Sequence, residues 1–497
     1  MSLTPQQRKQ FFALLKKIND AIEAGQFATP LKKLAELDKK YPRQSTVLML
    51  MGKANAKRGR HAESISFYKQ AVDCNDKDAN ARYDYAYALK KGGKFDLSLL
   101  ECERALYYQP NHFNALRHKC SVLTDLDRVN DANKAWNDLR RLTSKDEHNI
   151  NHLLAIAISG ARLAPKVRDA QESIDDIKQY IDDELINDEL RIAGHWQTGR
   201  LNDHLEQYDE AFIAYKASKE VKKAQWNPDV YTKRVDKLID CWTNGSKIPT
   251  STIDGSRLIF IIGMMRSGTS LTEQMITQIK AITPGGEMNA ITRQVAPIDP
   301  ANIPYQPSLA YTRDRYTKQM IQKMAKEAMV YYNEVARTGS ITDKQPYNYA
   351  NVPLIAHMFP GCKIIHCVRD PMDCMLSNYT QAFARPHMQT HDLFWLGRYY
   401  RDYERMMQAW HTLDEVDMID LHYEKLVNDP EAESKRVMEF LGFDWSQDIL
   451  NFHTSKRTIS TASREQVRKP MYTSSVQKYK RYESHLDELK HGLGIQD

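Results

Sequence analysis

The chain has 497 residues, room for two or three domains that each bury a core. Hydrophobic residues make up 42% and charged residues 27%, with a net charge of +6. That is a soluble globular balance, mildly basic, which suits a small anionic ligand and is too weak to argue for nucleic acid.

The opening MSLTPQQRKQFFALLKKIND lacks an apolar stretch of signal-peptide length, and no run of 18 apolar residues follows anywhere, so no membrane span is expected. Seven scattered cysteines, an odd number with no CxxC pair, indicate neither a disulfide framework nor a zinc site. A reducing, cytoplasmic setting is the expectation.

The N-terminal half repeats itself. Gly52, Ala86 and Cys120 are spaced by 34 residues, as are Ser64, Ser98 and Ala132, then Tyr68, Cys102 and Trp136, then Ala71, Ala105 and Leu139. Each unit reads as a helix, a turn at Gly59 or at Gly92-Gly93, and a second helix, with small residues where the two helices approach. Pro110 ends the second unit. The pattern resembles the tetratricopeptide repeat. A degenerate unit with Gly25 at its turn and Pro42 at its end precedes these three. A further one carries Gly199, Ala211, Tyr215 and Ser218 at the same offsets, and residues 144–190 read as an irregular helical pair between them. The expectation is an all-α solenoid of five or six helix pairs over residues 1–242.

Residues 243–256, rich in Gly, Ser, Thr and Pro, read as a linker. From there the pattern changes to an α/β domain over 257–497. RLIFIIG (257–263) and KIIHCVRD (363–370) are short apolar runs of the kind found in buried parallel strands, and helical stretches lie at 314–336 and 393–414. Strands alternating with helices predict a parallel sheet covered by helices.

The first strand runs into Gly263-Met264-Met265-Arg266-Ser267-Gly268-Thr269-Ser270 and then a helix. A strand, a glycine turn and a helix N-terminus gather free N–H groups and the positive end of the helix dipole at one place, which makes an anion site. Gly263 and Gly268 allow close approach and positive φ. The GxxxxG spacing is that of a nucleoside-triphosphate loop, but Thr269 stands where the phosphate-reaching lysine would be, which disfavours triphosphate chemistry. At the end of the second strand comes Arg369-Asp370-Pro371, and Ser377 follows eight residues after Arg369. A helix starting near Pro371 would put Ser377 about two turns in, on the side of the strand end, so that a guanidinium fork and a hydroxyl form a second phosphate site.

IFIIGMMRSGTSLTEQMI resembles the 5′-phosphosulfate loop of the sulfotransferase superfamily, in particular the tyrosylprotein sulfotransferase branch and the bacterial sulfotransferases fused to tetratricopeptide repeats. The resemblance covers roughly residues 257–485. It implies a sulfotransferase fold and a donor, 3′-phosphoadenosine 5′-phosphosulfate, that leaves as 3′,5′-adenosine bisphosphate, with no metal. It implies that Arg266, Ser267, Gly268, Thr269 and Ser270 hold the 5′ end and that Arg369 and Ser377 hold the 3′-phosphate. Glu287, in TPGGEMNAI, matches the catalytic base. Lys344, in TDKQPYNYA, matches the lysine at the transferring sulfuryl group, and Ser463 the serine that also contacts it. Tyr423, Gln466, Val467, Arg468 and Lys478 match further donor contacts. Arg266 is assigned charge stabilisation, since a guanidinium does not readily give up a proton.

Two departures stand out. Met265 replaces the proline usual before the loop arginine, and Gln381 stands where the animal branch has an arginine. The acceptor is an open choice among peptide tyrosine, glycan and small molecule, carrying a hydroxyl or an amine. The repeats could bind a peptide or protein, order the acceptor, or pair two copies as a homodimer. A binding scaffold with an inactive nucleotide domain and a divergent phosphate-loop kinase are the rival readings. Among other candidates, His366 reads as a core or site-lining residue, His357 and His387 have no partner pattern, and Cys362, Cys367 and Cys374 read as small buried side chains. Neither HExxH nor GxSxG occurs.

Overall fold

The computed structural model describes residues 4–58, 60–143, 149–244, 248–299, 316–383, 387–454, 471 and 473–495. It divides the chain into two compact units, Met1–Ala214 and Tyr215–Asp497.

In the first unit the 34-residue period folds as helix pairs: α1 (Pro5–Glu23) with α2 (Ala28–Lys40), α3 (Ser45–Lys57) with α4 (His61–Cys74), α5 (Ala79–Lys91) with α6 (Phe95–Tyr108), and α7 (Phe113–Asp125) with α8 (Val129–Thr143). The irregular stretch supplies α9 (Ile150–Ala161) and α10 (Ala170–Lys178), and α11 (Asp188–His204) and α12 (Tyr208–Glu220) follow. These are repeats of the tetratricopeptide type. The columns found by spacing point inward: Ala86, Cys120, Ser64, Ser98, Ala132, Tyr68, Cys102, Trp136, Ala71, Ala105 and Leu139 are all buried. Close approach is direct at one of them, where the Ser98 hydroxyl donates to the Ala86 carbonyl on the paired helix at 2.6 Å. Gly25, in a left-handed conformation at φ 79°, follows α1 at the expected first turn. A buried ion pair, Arg82 Nη1 to Glu101 Oε2 at 2.6 Å, joins α5 to α6. Its guanidinium also donates to the Asp76 carbonyl, so the desolvated charge is bonded on two sides.

The boundary between the units falls inside α12, upstream of the segment read as a linker. The helix α13 (Pro228–Thr243) belongs to the second unit, where it packs on α19 (Leu393–Trp410). Arg234 on α13 makes a two-pronged bond to the buried Asp299 carboxylate at 2.8 and 3.0 Å.

Among the described residues the second unit is built on five parallel strands: β1 (Leu258–Gly263), β2 (Ile282–Thr283), β3 (Ser340–Asp343), β4 (Lys363–Val368) and β5 (Met418–His422), in spatial order β2-β3-β1-β4-β5. Two strands were expected from apolar runs, and they are the central β1 and β4. The other three are too short or too polar to show by composition: β2 has two residues, β3 reads SITD and β5 reads MIDLH. Alternation along β1 faces the two layers. Ile259 and Ile261 join Ile365, Cys367 and Leu421 against α14 (Thr269–Ile276) and α21 (Pro430–Leu441). Phe260 points the other way, into the rings of Tyr332 and Phe359. Those rings come from α16 (Lys318–Val335) and the end of α17 (Val352–Met358). Short helices α15 (Thr292–Val295), α18 (Pro371–Tyr379), α20 (Tyr423–Asn428) and α22 (Asp487–Leu493) complete the unit.

The chain leaves β1 toward β2 and β3 on one side, then crosses to β4 and β5 on the other. The order therefore switches between β1 and β4, and in open parallel sheets ligands bind beyond the carboxyl ends of the strands at such a point. The loops leaving β1, β3 and β4 there carry Arg266, Lys344 and Arg369.

Candidate functional site

The first loop leaves β1 in a conformation its sequence must permit. Gly263 has φ 146°, and a Cβ on it would lie 2.4 Å from the Cys367 carbonyl oxygen of the neighbouring strand. Arg266 sits at φ 69°, a left-handed conformation that costs an L residue roughly 1–2 kcal/mol. Gly268 then caps α14.

The surroundings hold that loop through side chains on and beside α18. Asn378 donates to the Met265 carbonyl at 2.8 Å, and the Cys374 thiol lies 3.3 Å from the same oxygen. Arg369 Nη1 donates to the Arg266 carbonyl at 3.0 Å, and Arg266 Nε donates to the Ser377 hydroxyl at 3.0 Å. The carbonyl of Met265 is thus pinned by side chains of the helix that follows the neighbouring strand. Asn378 was not singled out from sequence, and Cys374 was read there as a small buried side chain without a part in the loop. The signal was the four-residue spacing of 370, 374 and 378, which lines one face of α18.

Two groups in the cradle remain open. The Ser267 hydroxyl is buried and has no hydrogen-bond partner, and neither has the buried Nε of Arg369. Burying such donors without partners costs about 1–3 kcal/mol each, a cost that an anionic acceptor supplied to each would repay. The Arg369 guanidinium lies over the Tyr423 ring at 4.8 Å, and that ring also stands against Gly268. Arg369, Tyr423 and the loop therefore form one surface. Ser377 faces it from α18, which opens on Pro371 with Asp370 as its cap.

The segment after residue 473 is tied to the same helix. Asp373 accepts the backbone N–H groups of Gln477 and Tyr479 at 2.6 and 2.8 Å, and Arg369 Nη2 donates to the Ser475 carbonyl at 2.8 Å. Burial raises the Asp373 carboxyl pKa, and the hydrogen bonds and Arg369 oppose that. Lys478 opens the short 3-10 stretch Lys478–His485. Ser463, Gln466, Val467 and Arg468 lie outside the described residues. Gln381, at the other departure, donates to the Ala382 carbonyl beside it at 3.2 Å.

On the β3 side of β1, Glu287 and Lys344 meet directly, with Nζ 2.6 Å from Oε1. The lysine side chain is 1% exposed and the glutamate 48%, so the ammonium is set into the protein and the carboxylate stands at its rim. Next to Lys344, burial raises the Asp343 carboxyl to about 7, while the Tyr332 hydroxyl donates to it at 2.8 Å.

The histidines fall into place as structural groups. His366 on β4 is buried, bonds Asp420 through Nδ1 at 2.7 Å and meets the Tyr403 hydroxyl through Nε2. His411 reaches the same Asp420 oxygen at 3.0 Å. The three groups lie within 4.8 Å of one another, and their atoms are engaged with each other. Burial lowers the His366 pKa; burial disfavours the Asp420 carboxylate, yet its imidazole bonds hold it at about 2. His357 bonds Glu415 at 3.1 Å and His387 bonds the Tyr347 hydroxyl at 2.7 Å. Burial pushes the thiols of Cys362, Cys367 and Cys374 up to about 12, which keeps them as neutral packing groups.

The structure brings together at this edge of the sheet a glycine-bearing loop with Arg266, a second arginine at the end of β4 and a Glu–Lys pair. Residues 258–447 match the model of the sulfotransferase family, so the second unit carries a sulfotransferase-family domain. An uncharacterized protein of Aquifex aeolicus (strain VF5) is 28% identical over 394 residues, covering 76% of this chain and 50% of that protein. Protein-tyrosine sulfotransferase 2 of Gallus gallus is 26% identical over 209 residues, 39% of this chain and 53% of that protein. Protein-tyrosine sulfotransferase A of Caenorhabditis elegans is 23% identical over 207 residues, 39% of this chain and 52% of that protein. The chain spans about half the length of these curated relatives. No helix among the described residues is long and apolar enough to cross a membrane.

Proposed function

We propose that this protein transfers a sulfuryl group from 3′-phosphoadenosine 5′-phosphosulfate to an acceptor hydroxyl or amine. The observation that carries the reading is a pair of buried, unpartnered polar groups, the Ser267 hydroxyl on a loop without the triphosphate lysine and the Arg369 Nε at the end of the neighbouring strand. When bound, the donor supplies an activated sulfur–oxygen bond whose leaving group is a phosphate. The N-terminus of α14, with Ser267, Gly268, Thr269 and Ser270, receives the 5′-phosphate. Arg369 and Ser377 receive the 3′-phosphate, and Tyr423, Lys478, Gln466, Val467 and Arg468 flank the nucleotide.

Glu287 takes the proton from the acceptor O–H or N–H as the acceptor atom bonds to sulfur. The bond from sulfur to the bridging oxygen breaks, and its electron pair leaves with the phosphate. Arg266 neutralises charge on that oxygen, while Lys344 and Ser463 bond the sulfuryl oxygens. The Lys344–Glu287 contact supports this assignment, since it puts the cation and the base within one bond of each other. The acceptor is proposed to be a peptide or protein segment presented with help from the repeats, in keeping with the protein-tyrosine sulfotransferases among the relatives.

The test is incubation with sulfur-labelled donor and candidate acceptors, with binding of 3′,5′-adenosine bisphosphate and ATP measured in parallel. Labelled product and tighter binding of the bisphosphate support the reading. Magnesium-dependent preference for ATP would overturn it in favour of a kinase, and donor-product binding without transfer would leave a scaffold.

A further inference from the structure

Glu273 sits on α14, one turn beyond Thr269 and Ser270, and takes no part in the site as so far described. Its carboxylate meets the loop that carries Glu287. The residue is 5% exposed, and a single carboxylate oxygen receives two donors: the Gly286 N–H at 2.9 Å and the Thr342 hydroxyl at 2.6 Å. Thr342, itself wholly buried on β3, accepts the Gly285 N–H at 3.0 Å. The Gly286 carbonyl accepts the Lys344 N–H at 2.8 Å. A Cβ on Gly285 would lie 2.1 Å from the Thr342 carbonyl oxygen, so glycine lets the loop close onto β3.

Both amides just before Glu287 are therefore held by one small network, and Glu273 is the member that ties it to the phosphate-loop helix. A buried carboxylate is a costly way to fill space. It is a good way to fix a loop, because charge-assisted bonds to backbone N–H groups are short and strong.

We propose that Glu273 is the positioning residue for the catalytic base. It fixes the Gly285-Gly286 backbone relative to α14, so that the helix whose N-terminus receives the donor also sets where Glu287 stands. This rests on the assignment of Glu287 as the base. The energetic reason is that a base must be held within a fraction of an ångström of its productive place.

Glu273→Leu, Glu273→Gln and Thr342→Val would be compared with the wild-type chain. In Glu273→Leu, kcat falls about 10- to 100-fold while the KM for the donor and the Kd for 3′,5′-adenosine bisphosphate stay within about twofold. Glu273→Gln keeps a carbonyl acceptor and recovers most of kcat. Thr342→Val gives an intermediate loss and serves if the leucine variant does not fold. Hydrogen exchange at the 285–288 amides should accelerate in the leucine and valine variants and stay slow in the glutamine variant, a readout that holds whether or not transfer is detected. An unchanged kcat, or bisphosphate binding that weakens in step with kcat, would overturn the proposal, as would unchanged exchange. Absence of transfer in the wild-type chain, with the exchange pattern as expected, would instead count against the proposed reaction.

Discussion

The two units are held together in different ways, and the difference decides what their residues do. In the repeats, bonds join neighbouring helices and some repeat the period of the sequence. Lys53 to Asn19 and Lys57 to Glu23, at 2.8 and 2.7 Å, each join residues 34 apart. In the α/β unit the bonds that shape the site join residues with no common period. Arg266 to Ser377 spans 111 positions, Asn378 to Met265 spans 113, and Lys344 to Glu287 spans 57. A repeat unit is built from neighbours, so a change there should show as lost stability. A parallel sheet gathers distant loops at one edge, so a change there should show as lost chemistry.

The largest expected effect tests the second half of that contrast. Glu287→Gln keeps the shape and removes the proton acceptor. Transfer should fall about 10²–10⁴-fold, as for loss of a general base. The Kd for adenosine bisphosphate, measured by calorimetry, should not move. A parallel loss of binding would mean that the carboxylate holds the loop rather than the proton.

The matching change in the repeats is Trp136→Ala. Trp136 is 5% exposed, donates to the Ile156 carbonyl at 3.0 Å and carries the Arg168 guanidinium over its ring. Truncation should cost about 3–5 kcal/mol, read as an earlier first transition in scanning calorimetry. Below that transition, bisphosphate binding should match wild type.

How much of this could be read beforehand divides along the same line. The helix pairs were legible because burial recurs at fixed spacing, and each column needs only a residue size. β1 and β4 were legible because they are apolar on both faces. β5 was not, since MIDLH at the edge alternates and carries an aspartate that bonds two histidines. Arg369 could be singled out because it ends a recognisable strand. Glu273, Thr342, Asp373 and Asn378 could not. Each looks ordinary in its own stretch, and its role exists only where loops far apart in sequence converge.

Asp343 sharpens the contrast through pH. Its folded pKa, about 7, lies above the ordinary aspartate value, so folding favours the protonated form. The carboxyl imposes no penalty below pH ~4, a growing one between ~4 and ~7, and a constant one above, of up to about 4 kcal/mol. Asp343→Asn should therefore leave stability at pH 4 little changed and raise it relative to wild type at pH 8, as followed by urea unfolding. An equal difference at both pH values would mean that the carboxyl titrates normally.

The smallest effect separates two serines that the sequence makes equivalent. Ser64 and Ser98 occupy one column of the repeat, and Ala132 fills the same column in the next unit, so alanine is acceptable there on size alone. The structure distinguishes them. The Ser98 hydroxyl donates to the Ala86 carbonyl and lies 3.2 Å from His118 Nε2, whose pKa burial lowers to about 3, which keeps the ring neutral. The Ser64 hydroxyl is buried without a partner. Ser98→Ala should cost about 1 kcal/mol, because it removes a made bond and leaves a buried ring nitrogen short of one. Ser64→Ala removes an unmet group and should be neutral or slightly stabilising. Equal costs in denaturant unfolding would mean that the period alone governs stability in the repeats, and that the hydrogen bond at Ser98 adds nothing to it.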